Sequence, residues 1–263
     1  MALSPSEIVE IARRQLADYD AHRPGSIFEH SSISLTAAEA YQVQKQVAAL
    51  RVARGESIAG YKIGCLSDAV QRQLGLDQPV FGHVFSSEVV RSGAEIRAAA
   101  FDGLAVEGEF AVRVAVDVPG PAFLRESSEE AVAAVFPVIE LHNYTFRGAA
   151  PSGPELIANN ALHAGVVLPA TEGNLRDAGE IMGESISVFR SGRLLGTSTG
   201  SSIPGGPLAS LIRVAEHLAS CGEILERGQI VLTGSPLPLY AAGPGDRIVV
   251  SCPRLGDVVA VVQ

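Results

Sequence analysis

Ala105-Val-Glu107-Gly-Glu109-Phe-Ala-Val-Arg113 sets two carboxylates two residues apart inside an otherwise apolar run. Successive residues of a strand point to opposite faces, so Glu107 and Glu109 emerge on the same face if the run is a strand. Two like charges that close repel, and an apolar setting makes ionising both costly unless a cation lies between them. Two readings stand at this point: an edge strand whose polar face carries Glu twice, or part of a divalent-metal site.

The surrounding chain has 263 residues, 47% apolar and 19% charged, enough to bury a full core in one large domain with a helical appendage. Its net charge of −9 argues against nucleic acid or an anionic membrane as partner, because that binding needs surplus Lys and Arg. The start, Met1-Ala-Leu-Ser-Pro-Ser-Glu7, lacks the layout of a signal peptide, and no apolar run reaches membrane-spanning length. A cytoplasmic enzyme or binding protein is expected. Cys65, Cys221 and Cys252 have no metal-ligand spacing and read as reduced core thiols.

Residues 4 to 20 read as a helix capped by Ser4, and the capping box Thr36-Ala-Ala-Glu39 opens a second helix running towards Gly55. Residues 1–56 are accordingly expected to form an N-terminal helical cap, and 57–263 a catalytic mixed-β domain, because short β-branched runs punctuated by Gly and Pro follow. Within that texture, Ala59 to Gly64 is a strand carrying Lys62 where a buried strand wants an apolar residue. Phe136 to His142 is a strand holding a third carboxylate, Glu140. Ser185 to Thr199 is a hairpin turning at Ser191-Gly192, and Pro207 to Ser220 is an amphipathic helix.

Three glutamates in apolar strands supply an all-oxygen set that suits Mg²⁺ or Mn²⁺ better than zinc. Glu140 paired with a surface arginine is the alternative. Lys62 is either an ion-paired lysine or a group that holds a substrate carboxylate or moves protons. His83, His142 and His163 match no tight motif and read as structural. The glycine-rich loop at 200–206 has no Gly-Lys-Ser/Thr, so nucleotide binding is not expected.

Taken together, Tyr61-Lys-Ile-Gly64, Gln73 to Gly82, Val106 to Ala111, Val138-Ile-Glu140, Asn159-Asn160-Ala161, Gly205 to Leu208 and Gly228 to Gly234 follow one another in an order that resembles the fumarylacetoacetate hydrolase superfamily, over nearly the whole chain. Within it they resemble the 2-oxo-4-pentenoate hydratase and 4-oxalocrotonate decarboxylase branch. The resemblance implies an α+β fold, a mixed β-roll or barrel core with an N-terminal helical cap, usually as a homo-oligomer. It implies Glu107, Glu109 and Glu140 as ligands of Mg²⁺ or Mn²⁺, Lys62 as catalytic residue, and Asn160, Ser202 and Thr233 as substrate contacts. The implied reaction, in aromatic catabolism, adds water to a 2-hydroxy-2,4-dienoate such as 2-hydroxypenta-2,4-dienoate, giving a 4-hydroxy-2-oxo acid.

Val80 departs from the hydratase pattern, which has Asp there, and raises a decarboxylase as alternative. Thr233-Gly234-Ser235-Pro236 looks closer to a C–C hydrolase of acylpyruvates. A metal-stabilised 2-oxo-acid-binding scaffold without catalysis is the non-enzyme alternative. Tyr144, Phe146 and Arg147 are candidates for lining the tail end of the pocket.

Overall fold

The computed structural model describes residues 3–29, 33–172 and 180–263. The glutamates lie on two long antiparallel strands, β5 (Leu104–Val114) and β6 (Val132–Asn143), the central pair of the larger sheet. Around them are β1 (Ile58–Gly64), β2 (Val80–Phe85), β3 (Val89–Arg91), β7 (His163–Leu168) and β10 (Ile230–Leu232). The order is β2-β1-β10-β5-β6-β7-β3, with the short β11 (Tyr240–Ala241) also pairing with β5. β2 and β7, far apart in this order, touch again, so the sheet curls most of the way round.

The second sheet runs β4 (Ala94–Ile96), β13 (Gly256–Val262), β12 (Arg247–Cys252), β8 (Ser185–Arg190) and β9 (Arg193–Thr199). Its Val188, Ile248 and Val250 share a buried core with Val106, Phe110, Val112 and Ile139 of the first. Gly108 makes this close approach possible. A Cβ added there would meet the Val188 side chain at 2.6 Å, so the residue between the two glutamates has to be small while its neighbours turn to the other face. The helix α7 (Gly206–Ser220) covers the same core with Leu211, Val214, Ala215 and Leu218.

Helices α1 (Pro5–Asp20) and α2 (Ala37–Ala53) both open with capping boxes, Ser4 with Glu7 and Thr36 with Glu39. Ile8, Ala12, Ala40 and Val43 pack in a separate cluster with Val80 of β2 and with Leu156 and Ile157 of α6 (Gly153–Ala158). Buried Arg51 anchors α2 to the turn after β2. It bonds Glu56 at 2.6 Å and Glu88 at 2.7 Å, and its guanidinium lies 3.6 Å above the Phe85 ring. No helix among the described residues is long and apolar enough to cross a membrane. The cysteines are free, but only Cys252 is a core thiol; Cys65 is partly buried and Cys221 exposed, at the C-terminal end of α7.

Candidate metal centre and adjoining cleft

Strand register assembles the carboxylates. Glu107 pairs directly with Glu140 across β5 and β6, and Glu109 sits two residues along on the same face. Glu109 and Glu140 are almost wholly buried, Glu107 less so. Lys62 reaches in from β1, its Nζ 3.3 Å from Glu140 Oε1 and 3.4 Å from the carbonyl oxygen of Ala161. Like charges force the carboxylates apart in acidity. Burial together with Glu140 and Glu107 pushes Glu109 well above the usual range. Burial pushes Glu140 the same way, but Lys62, His142 and His163 outweigh it and hold Glu140 below that range. Burial works against the Lys62 charge too, and the carboxylates, Glu140 foremost, keep it raised and therefore an ammonium.

Two of the three histidines read as structural, His142 and His163, lie against these carboxylates. His142 Nε2 is 3.2 Å from Glu107 Oε2 and 3.5 Å from Glu140 Oε2, and His163 Nδ1 is 2.7 Å from Glu140 Oε1. The signal for His142 was present in the sequence, since it follows Glu140 by two residues on one strand and shares its face. His163 could not be found that way, because only the β6–β7 pairing brings it opposite His142.

Glu107, Glu140 and His142 each offer a donor atom, and these lie within 4.8 Å of one another. Glu140 Oε2 and His142 Nε2 are buried without a hydrogen-bond partner. Buried polar atoms are rarely left so, and a divalent cation would satisfy both and relieve the repulsion among three carboxylates. Glu109 already accepts a hydrogen bond from the Gly234 N–H, 2.9 Å, through Oε2. His163 bonds Glu140 as a second-layer partner does, so His163→Ala should weaken divalent-ion affinity about 10- to 100-fold while the fold persists, read by calorimetry.

The cluster opens onto a cleft of about 630 Å³ whose lining includes Lys62, Glu107, His142, Ser202 and Val80. Tyr144 and Phe146 line it as well, whereas Arg147 does not. Its guanidinium bonds Asp102, Glu29 (3.0 Å) and the Pro24 carbonyl oxygen (2.8 Å).

Asn160 and Thr233 are engaged elsewhere. The Asn160 side chain accepts from the His83 N–H at 2.7 Å and donates to the His83 carbonyl at 2.8 Å, clamping β2. Asn160, Ala161 and Leu162 all have positive φ, a costly run for residues other than glycine, and the clamp holds the turn that offers the Ala161 carbonyl to Lys62. Asn160→Ala should therefore cost about 1–3 kcal/mol, seen as a lower midpoint in thermal unfolding. Thr233 is buried and its hydroxyl donates to the Phe110 carbonyl, 2.8 Å. Gly196-Thr-Ser198-Thr-Gly200 has the letters of a nucleophile elbow, but Ser198 lies within β9, paired with Ile186, and not on a strand-to-helix turn.

Comparison with known proteins places this architecture. The chain is 31% identical over 222 residues to 2-keto-4-pentenoate hydratase 1 of Dechloromonas aromatica (strain RCB), covering 84% of each. It is 26% identical over 250 residues to a 4-oxalocrotonate decarboxylase of Pseudomonas putida, covering 95% of this chain and 93% of that one. The structure of 4-oxalocrotonate decarboxylase from Pseudomonas putida G7, complexed with magnesium and adipate, superposes with a TM-score of 0.91 at 23% identity, over 100% of this chain and 99% of that one. The mixed-β core with N-terminal helices expected from the sequence is thus the fold found. The profile described as fumarylacetoacetate (FAA) hydrolase C-terminal matches residues 62–263, and with these relatives it shows that the chain belongs to the fumarylacetoacetate hydrolase family.

Proposed function

We propose that the protein is a divalent-metal-dependent hydratase that adds water to a 2-hydroxy-2,4-dienoate such as 2-hydroxypenta-2,4-dienoate, giving a 4-hydroxy-2-oxo acid. The observation that carries this reading is the buried carboxylate cluster, in which Glu140 Oε2 and His142 Nε2 have no hydrogen-bond partner, beside Lys62, Glu107 and His142 in the lining of the cleft. Its relatives include 2-keto-4-pentenoate hydratases and a 2-hydroxyhexa-2,4-dienoate hydratase of Comamonas testosteroni. Glu107, Glu109 and Glu140 would hold Mg²⁺ or Mn²⁺, and His142 lines the same space against Glu107 and Glu140. A divalent ion held there would supply Lewis-acid polarisation of the substrate's C2 oxygen.

Lys62, kept as an ammonium, neutralises the substrate carboxylate. The C2 hydroxyl loses its proton as C5 gains one, and water then gives its hydroxyl to C4 and a proton to C3. The buried walls restrict water to what the cleft admits. Residues 1–56 act as the helical cap and 57–263 as the catalytic unit, the cap seated on that unit through the core that α1 and α2 share with α6 and β2. On this reading the protein works in the cytoplasm as a homo-oligomer on a small acid, with the net charge of −9 disfavouring nucleic acid and membrane.

A second reading, loss of CO₂ from a 2-oxo-3-enedioate, is favoured by Val80. It is buried and apolar where it lines the cleft, so no carboxylate at that position handles the added water. Purified protein incubated with Mg²⁺ and 2-hydroxypenta-2,4-dienoate separates the two. Loss of diene absorbance with formation of 4-hydroxy-2-oxopentanoate is expected. An unreactive diene together with CO₂ release from 4-oxalocrotonate would replace the hydratase by the decarboxylase.

A further inference from the structure

The cleft is larger than the smallest dienoate requires, and its lining shows what fills the remainder. At about 630 Å³ it lies within the range of pockets that enclose drug-sized ligands. Val70, Leu74, Val80, Phe146, Leu156 and Leu237 are among its walls. Among the described residues lining it, Lys62 is the only lysine or arginine, and it stands at the Glu140 end, away from the tail. Arg147, which its place in the sequence offered as a reader of the substrate tail, is turned away and spent on Asp102 and Glu29.

We infer that this cleft selects monocarboxylates with an uncharged apolar tail, alkyl or aryl, over dicarboxylates. The inference rests on the reading above that the Glu107, Glu140 and Lys62 end takes the carboxylate and C2 oxygen. A second carboxylate on the tail would lose water among these walls without gaining a lysine or arginine from the described residues. Each tail methylene, by contrast, leaves water for an apolar surface.

Calorimetric titration of the dialysed protein in saturating Mg²⁺ with 2-oxooctanoate and with 2-oxoadipate tests this without requiring turnover. Binding of 2-oxooctanoate at least about 10-fold tighter than 2-oxoadipate is expected. Val70→Arg, a partly exposed position on the helix α3 (Asp68–Leu74), brings a cation to the wall and should narrow that gap. Equal or tighter binding of 2-oxoadipate by the unmodified protein overturns the inference, as does failure of both acids to bind. Turnover of 2-hydroxypenta-2,4-dienoate by the same preparation reports separately on the hydratase reading. A tail preference without turnover sinks only that reading, and turnover without a tail preference sinks only the inference.

Discussion

Lys62→Met lowers kcat/KM for the dienoate by about 10²- to 10⁴-fold, the range for losing a positioned charged or proton-transferring group, while divalent-ion binding is kept or strengthened. The two effects separate because Lys62 stands 3.3 Å from Glu140 without being able to ligate a cation itself. Its positive charge competes with any ion drawn to that carboxylate, so removing it leaves the ligands more attractive to metal. Methionine also fits an almost fully buried strand position, and His142 and His163 remain against the Glu140 carboxylate. A merely structural lysine would show the opposite pattern, with lost stability and unchanged turnover in the surviving folded fraction. Steady-state kinetics with Mn²⁺ calorimetry on one preparation distinguishes these outcomes.

Glu140→Gln should weaken divalent-ion affinity by at least about 100-fold and abolish turnover, because it removes the carboxylate that faces Glu107, Lys62, His142 and His163 at once. The variant also shows in stability. Metal at about 100 times its Kd stabilises a folded protein by about 2.7 kcal/mol, which for a chain of this size raises Tm by about 5 to 11 °C. That rise should be present in the unmodified protein and absent in Glu140→Gln.

Its pH dependence follows from Glu109. With its carboxyl raised in the folded state, Glu109 contributes stability that is present at low pH and lost as pH rises through the raised value. A cation that takes the carboxylate as its ligand reverses this loss. The metal-dependent gain in Tm should therefore grow as pH rises towards the raised value, since below it binding displaces a proton.

Much of the site was legible in the sequence because it is written in local periodicity. Glu107 and Glu109 share a face by strand alternation alone, Glu140 stands out in the apolar run that precedes it, and Lys62 is a charge in a strand that is otherwise buried. The capping boxes at Ser4 and Thr36 are likewise local signals, and both helices begin at them.

What escaped the sequence depends on pairing between distant strands. His163 meets Glu140 only through the register of β6 against β7. Asn160 illustrates the same limit. The resemblance implied a substrate contact there, and a tertiary turn engages both the oxygen and the nitrogen of its amide with the backbone of His83.

The central claim is that the Glu107, Glu109 and Glu140 cluster is a divalent-cation site. Calorimetric titration of Mn²⁺ into the metal-free, dialysed protein at neutral pH tests it most directly. The account predicts saturable binding of one ion per chain with release of protons, and loss of that binding in Glu140→Gln. Absence of saturable binding in the unmodified protein, or binding that Glu140→Gln leaves unchanged, would contradict it.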